Sequence, residues 1–381
     1  MKKFILLNLL FINLIFSQDY YFSKYGPFDD RIKSPEEFLG YPIGEMHTRH
    51  DLIYSYMDYL SSVSEKANIF HYATSYEGRK LIYLIVSNSE TIKNLESIRK
   101  AHISYIDPND ENYNNQNKPS DFPVIVNLGY NVHGNEPSSS EAAMLTAYTL
   151  VSSKSEEVKD YLNNSIVLID PTINPDGRDR HTQWVNSYKG SPLVDDPQDA
   201  EHNEYWPGGR TNHYWFDLNR DVLLGIHPET RGKIRFHHTW FPNVTMDFHE
   251  MGTNSTYFFV PWKTHAAKDP VIPQENYEYF EKLFGGFFAK GLDEIGSMYF
   301  SKEAFDKTYP GYHSSYADLL GGIGMLFEQA SSRGHKQKTQ FGEITFPFTI
   351  RNQYVSGMTT IKASVAMKDE LMEYQHKLEH R

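Results

Sequence analysis

His133 and Glu136 stand three positions apart in VNLGYNVHGNEPSSSEAAM (126–144), and a second imidazole, His249, follows in NVTMDFHEMG. Two imidazoles and one carboxylate, with a fourth position left to water, are the donor set of a catalytic zinc site rather than a closed structural one. H-x-x-E alone is weak in a chain with 17 histidines. The adjacent His237 and His238 are a rival pair, but a predicted helix runs through them, and neighbours on a helix point to different faces. They read as ordinary helix residues. Each other polar candidate also has a plain reading: Asp217 and Asn219 as a cap and turn, Arg220 as a surface ion pair, Glu328 as a strand-end acid.

The elements around these residues bring them together. FPVIVNLGY, from Phe122, reads as a buried strand ending just before His133. Ser138 and Glu141 fit a capping box opening a helix over AAMLTAYTLV. LIYLIVSN from Leu81, SIVLIDPTI from Ser165 (ending in the turn NPDG), NVTMDFHEMG from Asn243 and GIGMLFEQA from Gly322 read as further strands. HDLIYSYMDYLSSVSEKA, from His50, and the run around HPETRGKIRFHHTW read as helices. Alternation of strand and helix predicts an α/β fold: one domain with a mixed, mostly parallel central sheet and helices on both faces. In such sheets the functional crevice lies beyond the carboxyl ends of the strands. His133, Glu136, Asp176, His249 and Glu328 all fall at such ends. GGIG at 321–324 is read as a turn, since it lacks the strand-turn-helix setting of a phosphate loop.

The motifs YEGRKLIYLIVS (76–87), NVHGNE, NPDG, GGRTNHYWFDLNR (208–220), DFHEMG, TYPGYHSSYAD (308–318) and LFE occur in one order. Together they resemble the zinc metallocarboxypeptidases, and HGNE and the GRTN to DLNR spacing resemble the carboxypeptidase E and N branch more than the pancreatic one. The resemblance spans about residues 45–330. It implies a zinc carboxypeptidase-like fold and one Zn²⁺ held by His133, Glu136 and His249. It further implies that Asp217 orients a ligand histidine, that Asn219 and Arg220 hold a substrate's terminal carboxylate, and that Arg210 stabilises the oxyanion. Glu328 is implied as general base and acid. Tyr309 is implied as a mobile tyrosine capping the substrate, with Ser314 and Ser315 as anchor and Tyr312 as the other candidate. Asn135 stands where the pancreatic branch has an arginine, so upstream substrate contacts should differ.

Met1 to Ser17 pairs two lysines with an apolar run and reads as an export signal. This places the mature protein in a secreted or periplasmic setting. Residues 18–45 read as an ordered lead-in and 46–381 as the catalytic domain. Within it, 356–381 reads as a charged C-terminal helix with no stop signal, which suggests further chain beyond. The segment between Asp179 and Asn212 reads as a long loop shaping the crevice rim. The absence of cysteine excludes disulfides and a cysteine-linked lipid anchor. A net charge of -12 argues against nucleic acid or an anionic membrane as main partner. Peptide or protein C-termini are the expected substrates. An amidase acting on cell-wall or other unusual peptides, and a catalytically silent binding module, are the rival functions.

Overall fold

The computed structural model describes residues 20–114, 116–263 and 268–379. The segment read as an export signal, 1–17, lies outside the described residues. Among the described residues, seven strands form one mixed sheet in the order β1-β2-β4-β3-β5-β7-β6. Its centre is parallel: β4 (Ser165–Asp170), β3 (Val124–Tyr130), β5 (Val244–Met251) and β7 (Ile323–Ala330). β1 (Ala67–Thr74) and β2 (Lys80–Val86) extend one side in antiparallel pairing, and the short β6 (Tyr257–Phe259) closes the other. Neither β1 nor β6 carries enough apolar alternation to be read from sequence.

Every residue of β3 and β4 is buried, as expected where helices cover both faces. Val124, Val126 and Leu128 point into the larger core with the helices His50–Val63, Ser138–Ser152, Glu281–Glu294 and Phe346–Ala366. Ile125 points the other way, toward Phe236 and Trp240 of helix Pro228–Trp240. Period-two alternation thus feeds both cores from one strand. Helix His50–Val63 buries Ile53, Tyr56, Met57 and Leu60, the spacing that marked it in the sequence.

Four local expectations are corrected. No capping box forms at Ser138: Pro137 is the cap residue, the Ser138 N–H and hydroxyl donate to Glu250, and Glu141 is buried against Arg178 and Thr48. Tertiary partners outbid the local motif. NPDG is not a free turn but the start of helix Pro175–Tyr188, capped by the Asn174 side chain accepting from Gly177 N at 2.9 Å. The irregular rim segment therefore begins after Tyr188, not at Asp179. The C-terminal region is two helices, one from Phe346 to Ala366 buried along most of its length, then Lys368–Glu379. A helix packed on all sides has no amphipathic signature to announce its start. In the lead-in, Tyr21, Phe22 and Tyr25 are buried within the main core.

Candidate metal centre

His133 and Glu136 sit on the turn leaving β3. Asn131 enters that turn with φ +60, and its side-chain amide donates to the carbonyls of His133 (2.8 Å) and Glu136 (2.9 Å). Asn tolerates this left-handed backbone better than most residues. Gly134 permits a second close approach: a Cβ there would overlap the backbone of Gly177 and Arg178 and meet the Gly209 carbonyl. The ligand turn, the start of helix Pro175–Tyr188 and the loop carrying Arg210 are consequently packed backbone to backbone. His249 comes from β5 and Glu328 from β7, directly paired in register across the two strands.

One ligand atom from each of His133, Glu136 and His249 lies within 4.8 Å of the others, and all three residues are buried. The two Nδ1 atoms are 3.3 Å apart, and each faces the Glu136 carboxylate, at 2.8 Å from His133 and 3.0 Å from His249. The far ring nitrogens face other carboxylates: His133 Nε2 is 2.9 Å from Asp217 and His249 Nε2 is 2.7 Å from Asp247. A proton on each Nε2 satisfies those carboxylates and leaves both Nδ1 lone pairs aimed at the centre. Two lone pairs and a carboxylate then converge with no hydrogen between them, an arrangement that a cation resolves. The donor set therefore fits a zinc ion.

The electrostatics show how strongly the site draws positive charge. Burial works against protonating His249, but Asp247 and then Glu136 hold its pKa well above the usual imidazole value. Burial also opposes charge on Glu136, yet the two imidazoles hold its carboxyl well below the ordinary range. Glu328 behaves oppositely: burial, with Glu136 adding to it, pushes its carboxyl up to about 8 against the pull of His249. It lines a cavity of about 270 Å³ shared with His133, Glu136, His249, Arg210 and Arg220.

Arg210 reaches Glu136 at 3.3 Å and Asp217 at 2.9 Å, with its side chain 45% exposed toward the cavity. Arg220 lies over the Tyr312 ring, 4.7 Å from its centre, lines the same cavity and comes within 3.9 Å of Asp217. Asn219 is committed to the protein: its Oδ1 accepts from His313 N at 2.9 Å, and its amide nitrogen is 3.0 Å from His249 Nε2. Tyr312 forms part of the cavity wall, whereas the Tyr309 hydroxyl donates to the Arg220 carbonyl at 3.0 Å. Ser314 and Ser315 are buried in the first turn of helix His313–Leu319.

Asp176 does not join the centre. It accepts from Ser75 and Arg79 and is fully buried in the first turn of its helix, where it braces the β1–β2 turn. Being at a strand end is a matter of position along the chain; which way the side chain points is set by the helix that follows. His237 and His238 are helix residues as read: burial drives His237 down to about 3, and His238 bonds the Tyr316 hydroxyl at 2.8 Å. Sequence reading missed Asn131, Asp247 and Glu250. Asp247 was detectable, because two residues before a ligand on a strand is the same face. Glu250 points to the opposite side of β5, where Ser138 and Ser331 hold its carboxylate, while its backbone N–H donates to Glu136 at 3.0 Å.

A family model described as zinc carboxypeptidase matches residues 53–283. That span contains the three metal donors, Arg210, Asp217, Asn219 and Arg220, and ends before Tyr309 and Glu328. No curated protein matches the chain. Among solved structures it is similar to a metallo-carboxypeptidase from Burkholderia cenocepacia, with TM-score 0.55 and 11% identity over 84% of this chain and 70% of that one. It is also similar to carboxypeptidase A from Helicoverpa armigera, with TM-score 0.55 and 15% identity over 94% of this chain and 81% of that one. Thrombin activatable fibrinolysis inhibitor matches with TM-score 0.54 and 14% identity over 87% and 78%. At such identities the likeness is one of fold.

Proposed function

Because the chain belongs to the zinc carboxypeptidase family, we propose that this zinc metallopeptidase is an exported carboxypeptidase that hydrolyses the last peptide bond of peptides, with Glu328 as general base. The supporting observation is the shared cavity: the metal donors, Glu328, Arg210 and Arg220 line one space of about 270 Å³. Export rests on the Met1 to Ser17 segment.

His133, Glu136 and His249 hold the zinc, with Asp217 and Asp247 fixing the two imidazoles through Nε2. When bound, zinc supplies a Lewis acid that lowers the pKa of water to about 7. Glu328 takes the attacking water's proton on its carboxylate and later returns it to the leaving amine. A carboxyl held high by burial suits the return step, and a nearby cation lowers it toward the value needed for the first. Arg210 faces the oxygen of the scissile carbonyl, a contact whose loss typically costs about 3–4 kcal/mol of transition-state stabilisation. Arg220 pairs with the substrate's terminal carboxylate, for which a guanidinium fork is suited. Asn219, whose Oδ1 accepts from His313 N, fixes the segment that carries Arg220. Closure over the substrate is assigned to Tyr309, which must first release the Arg220 carbonyl, or to Tyr312, already in the wall.

Matched free-acid and C-terminally amidated peptides test this reading. The free acid should be cleaved and the amide not, since amidation removes the charge that the Arg220 guanidinium would pair with. Arg220→Ala should collapse that discrimination. Arg210→Ala should lower turnover on any substrate while keeping the acid-over-amide ratio. Equal cleavage of acid and amide by the wild type would replace the carboxypeptidase reading with that of an amidase.

A further inference from the structure

The loop that delivers Arg210 also delivers a row of rings to solvent. Tyr205 and Trp206 are each 75% exposed, and Tyr214, Trp215 and Phe216 are all more than half exposed. The rings pack in three pairs: Trp184 to Tyr205 at 4.9 Å, Trp206 to Trp215 at 4.6 Å, and Tyr214 to Tyr76 at 4.6 Å between centres, and together they make an aromatic ridge. An exposed apolar surface of this kind marks a site of interaction.

The presentation is built rather than incidental. Asn212 is fully buried, and its Oδ1 accepts from the backbone of both Tyr214 (3.0 Å) and Phe216 (3.1 Å). Its own N–H donates to the Phe216 carbonyl at 3.0 Å, and Trp215 N donates to the Asn212 carbonyl at 3.1 Å. This tight turn holds Trp215 at φ +65, a conformation a bulky residue rarely adopts without external constraint. Across the gap, Glu204 fixes the base of the Tyr205–Trp206 pair by accepting from Asn135 at 2.9 Å and facing His181 at 2.7 Å. Its charge is thereby tied inward, and the outer surface of 205–208 and 214–216 carries no ionisable group except the tyrosine hydroxyls.

We propose that this ridge is a subsite for the part of a polypeptide substrate upstream of its last residues, and that it selects apolar or aromatic side chains there. This rests on the carboxypeptidase reading. In that reading Arg220 takes the terminal carboxylate and Arg210, beside Glu136, faces the scissile carbonyl, and both line the cavity. With the terminal carboxylate on Arg220, the chain preceding the scissile bond leaves past Arg210, which lies between Trp206 and Trp215 in the same loop. The ridge flanks the ligand turn, since Glu204 at its base bonds Asn135 beside Glu136 and Phe216 immediately precedes Asp217, which faces His133; it is apolar and offers flat faces against which side chains of an extended peptide can stack.

The test compares kcat/KM for three free-acid substrates: an N-blocked dipeptide, the same dipeptide extended upstream by Leu and Phe, and the same extended by Ser and Gly. Burying one or two apolar side chains should raise kcat/KM for the apolar extension at least about tenfold over the dipeptide. Trp206→Ser with Trp215→Ser should erase that gain and leave the dipeptide rate unchanged, which also reports an intact fold; Trp206→Ser alone should erase part of it. Equal rates on the two extensions, or an equal loss on dipeptide and extended peptide, would overturn the subsite. So would a wild-type dimer in sedimentation that the double substitution converts to monomer, since the ridge would then be a contact between copies. Dipeptide cleavage without an extension gain removes this inference alone; no cleavage of any free-acid peptide removes the carboxypeptidase reading as well.

Discussion

The metal centre and the cluster around Lys307 both bury charge, and they balance it in opposite ways. Lys307 has a fully buried ammonium between Asp318 and Glu281, and it also donates to the Gly324 carbonyl. Burial drives Glu281 up to about 8, so near neutral pH it keeps its proton and the cluster holds one cation against one anion. Arg178 and Glu141, also fully buried, pair one to one at 2.9 Å. At the metal centre the carboxylates of Glu136, Asp217 and Asp247 meet two imidazoles, and the guanidiniums within reach, Arg210 and Arg220, are about half in solvent. A buried group of charges that the protein balances by itself is architecture. One in which three carboxylates draw protons onto two converging imidazoles has a place for a cation from outside in their stead.

The largest effect that would break this contrast is on the metal. Chelation, or His249→Ala, should remove nearly all peptidase activity and the bound zinc, measured by metal analysis, and zinc should restore the chelated wild type. Wild-type zinc content in His249→Ala would place the metal elsewhere. Next, Glu328→Gln should retain zinc and lose roughly 10²-fold to 10⁴-fold in kcat, because the amide is nearly isosteric but accepts no proton. Near-normal turnover would make another residue the base.

Lys307→Met tests the self-balanced side. It leaves the buried Asp318 carboxylate without its cation, held only by Asn276 and the Gly324 N–H, and should reduce unfolding free energy by about 3–5 kcal/mol in urea titration, with Asp318→Asn recovering part of the loss. Zinc affinity of the folded variant should stay near wild type. Asp247→Asn should do the reverse, weakening zinc about 10-fold to 100-fold in competition titration while the metal-free protein unfolds much as before. If each variant changed both properties alike, the two regions would not be separable.

What was legible in the sequence follows the same division. The metal donors announced themselves because the chemistry needs particular residue types at a short spacing, and because β3, β5 and β7, buried on both faces, read as largely apolar runs leading to His133, His249 and Glu328. The Lys307 cluster gave no signal: its members come from a loop and two helices, and nothing local marks them as partners. Ser138 and Glu141 read as a cap but are claimed by Glu250 and Arg178, contacts that exist only once the sheet has formed. Asp176 sat at a strand end yet turned away, because the helix starting at Pro175 sets its direction. The aromatic ridge was visible only as a Tyr- and Trp-rich loop, since exposure is a property of the folded chain.

The smallest effect separates histidines by what faces them. Asp217 and Asp247 face the outer nitrogens of the ligand imidazoles, and the pKa of each imidazole rises despite burial. His102 is equally buried, between helix Leu95–Ile106 and the end of helix Pro228–Trp240, but its Nε2 meets only the Phe241 carbonyl at 3.1 Å. Burial therefore lowers its pKa from 6.5 to about 4. A group depressed in the folded state contributes stability that is complete above pH 6.5; as the pH falls toward 4 the unfolded chain takes a proton the folded one refuses, and that contribution drains away. Below that the folded state is protonated too and nothing more is lost. His102→Gln keeps a donor for the Phe241 carbonyl but removes the proton uptake. Its urea midpoint should fall less steeply than that of the wild type between pH 6.5 and 4, while the two differ little in steepness above that window. Acid release of zinc affects both proteins alike, so it cancels in the comparison. Identical slopes through the window would mean that His102 is solvated or partnered in the folded protein, and that burial alone does not distinguish structural histidines from ligands here.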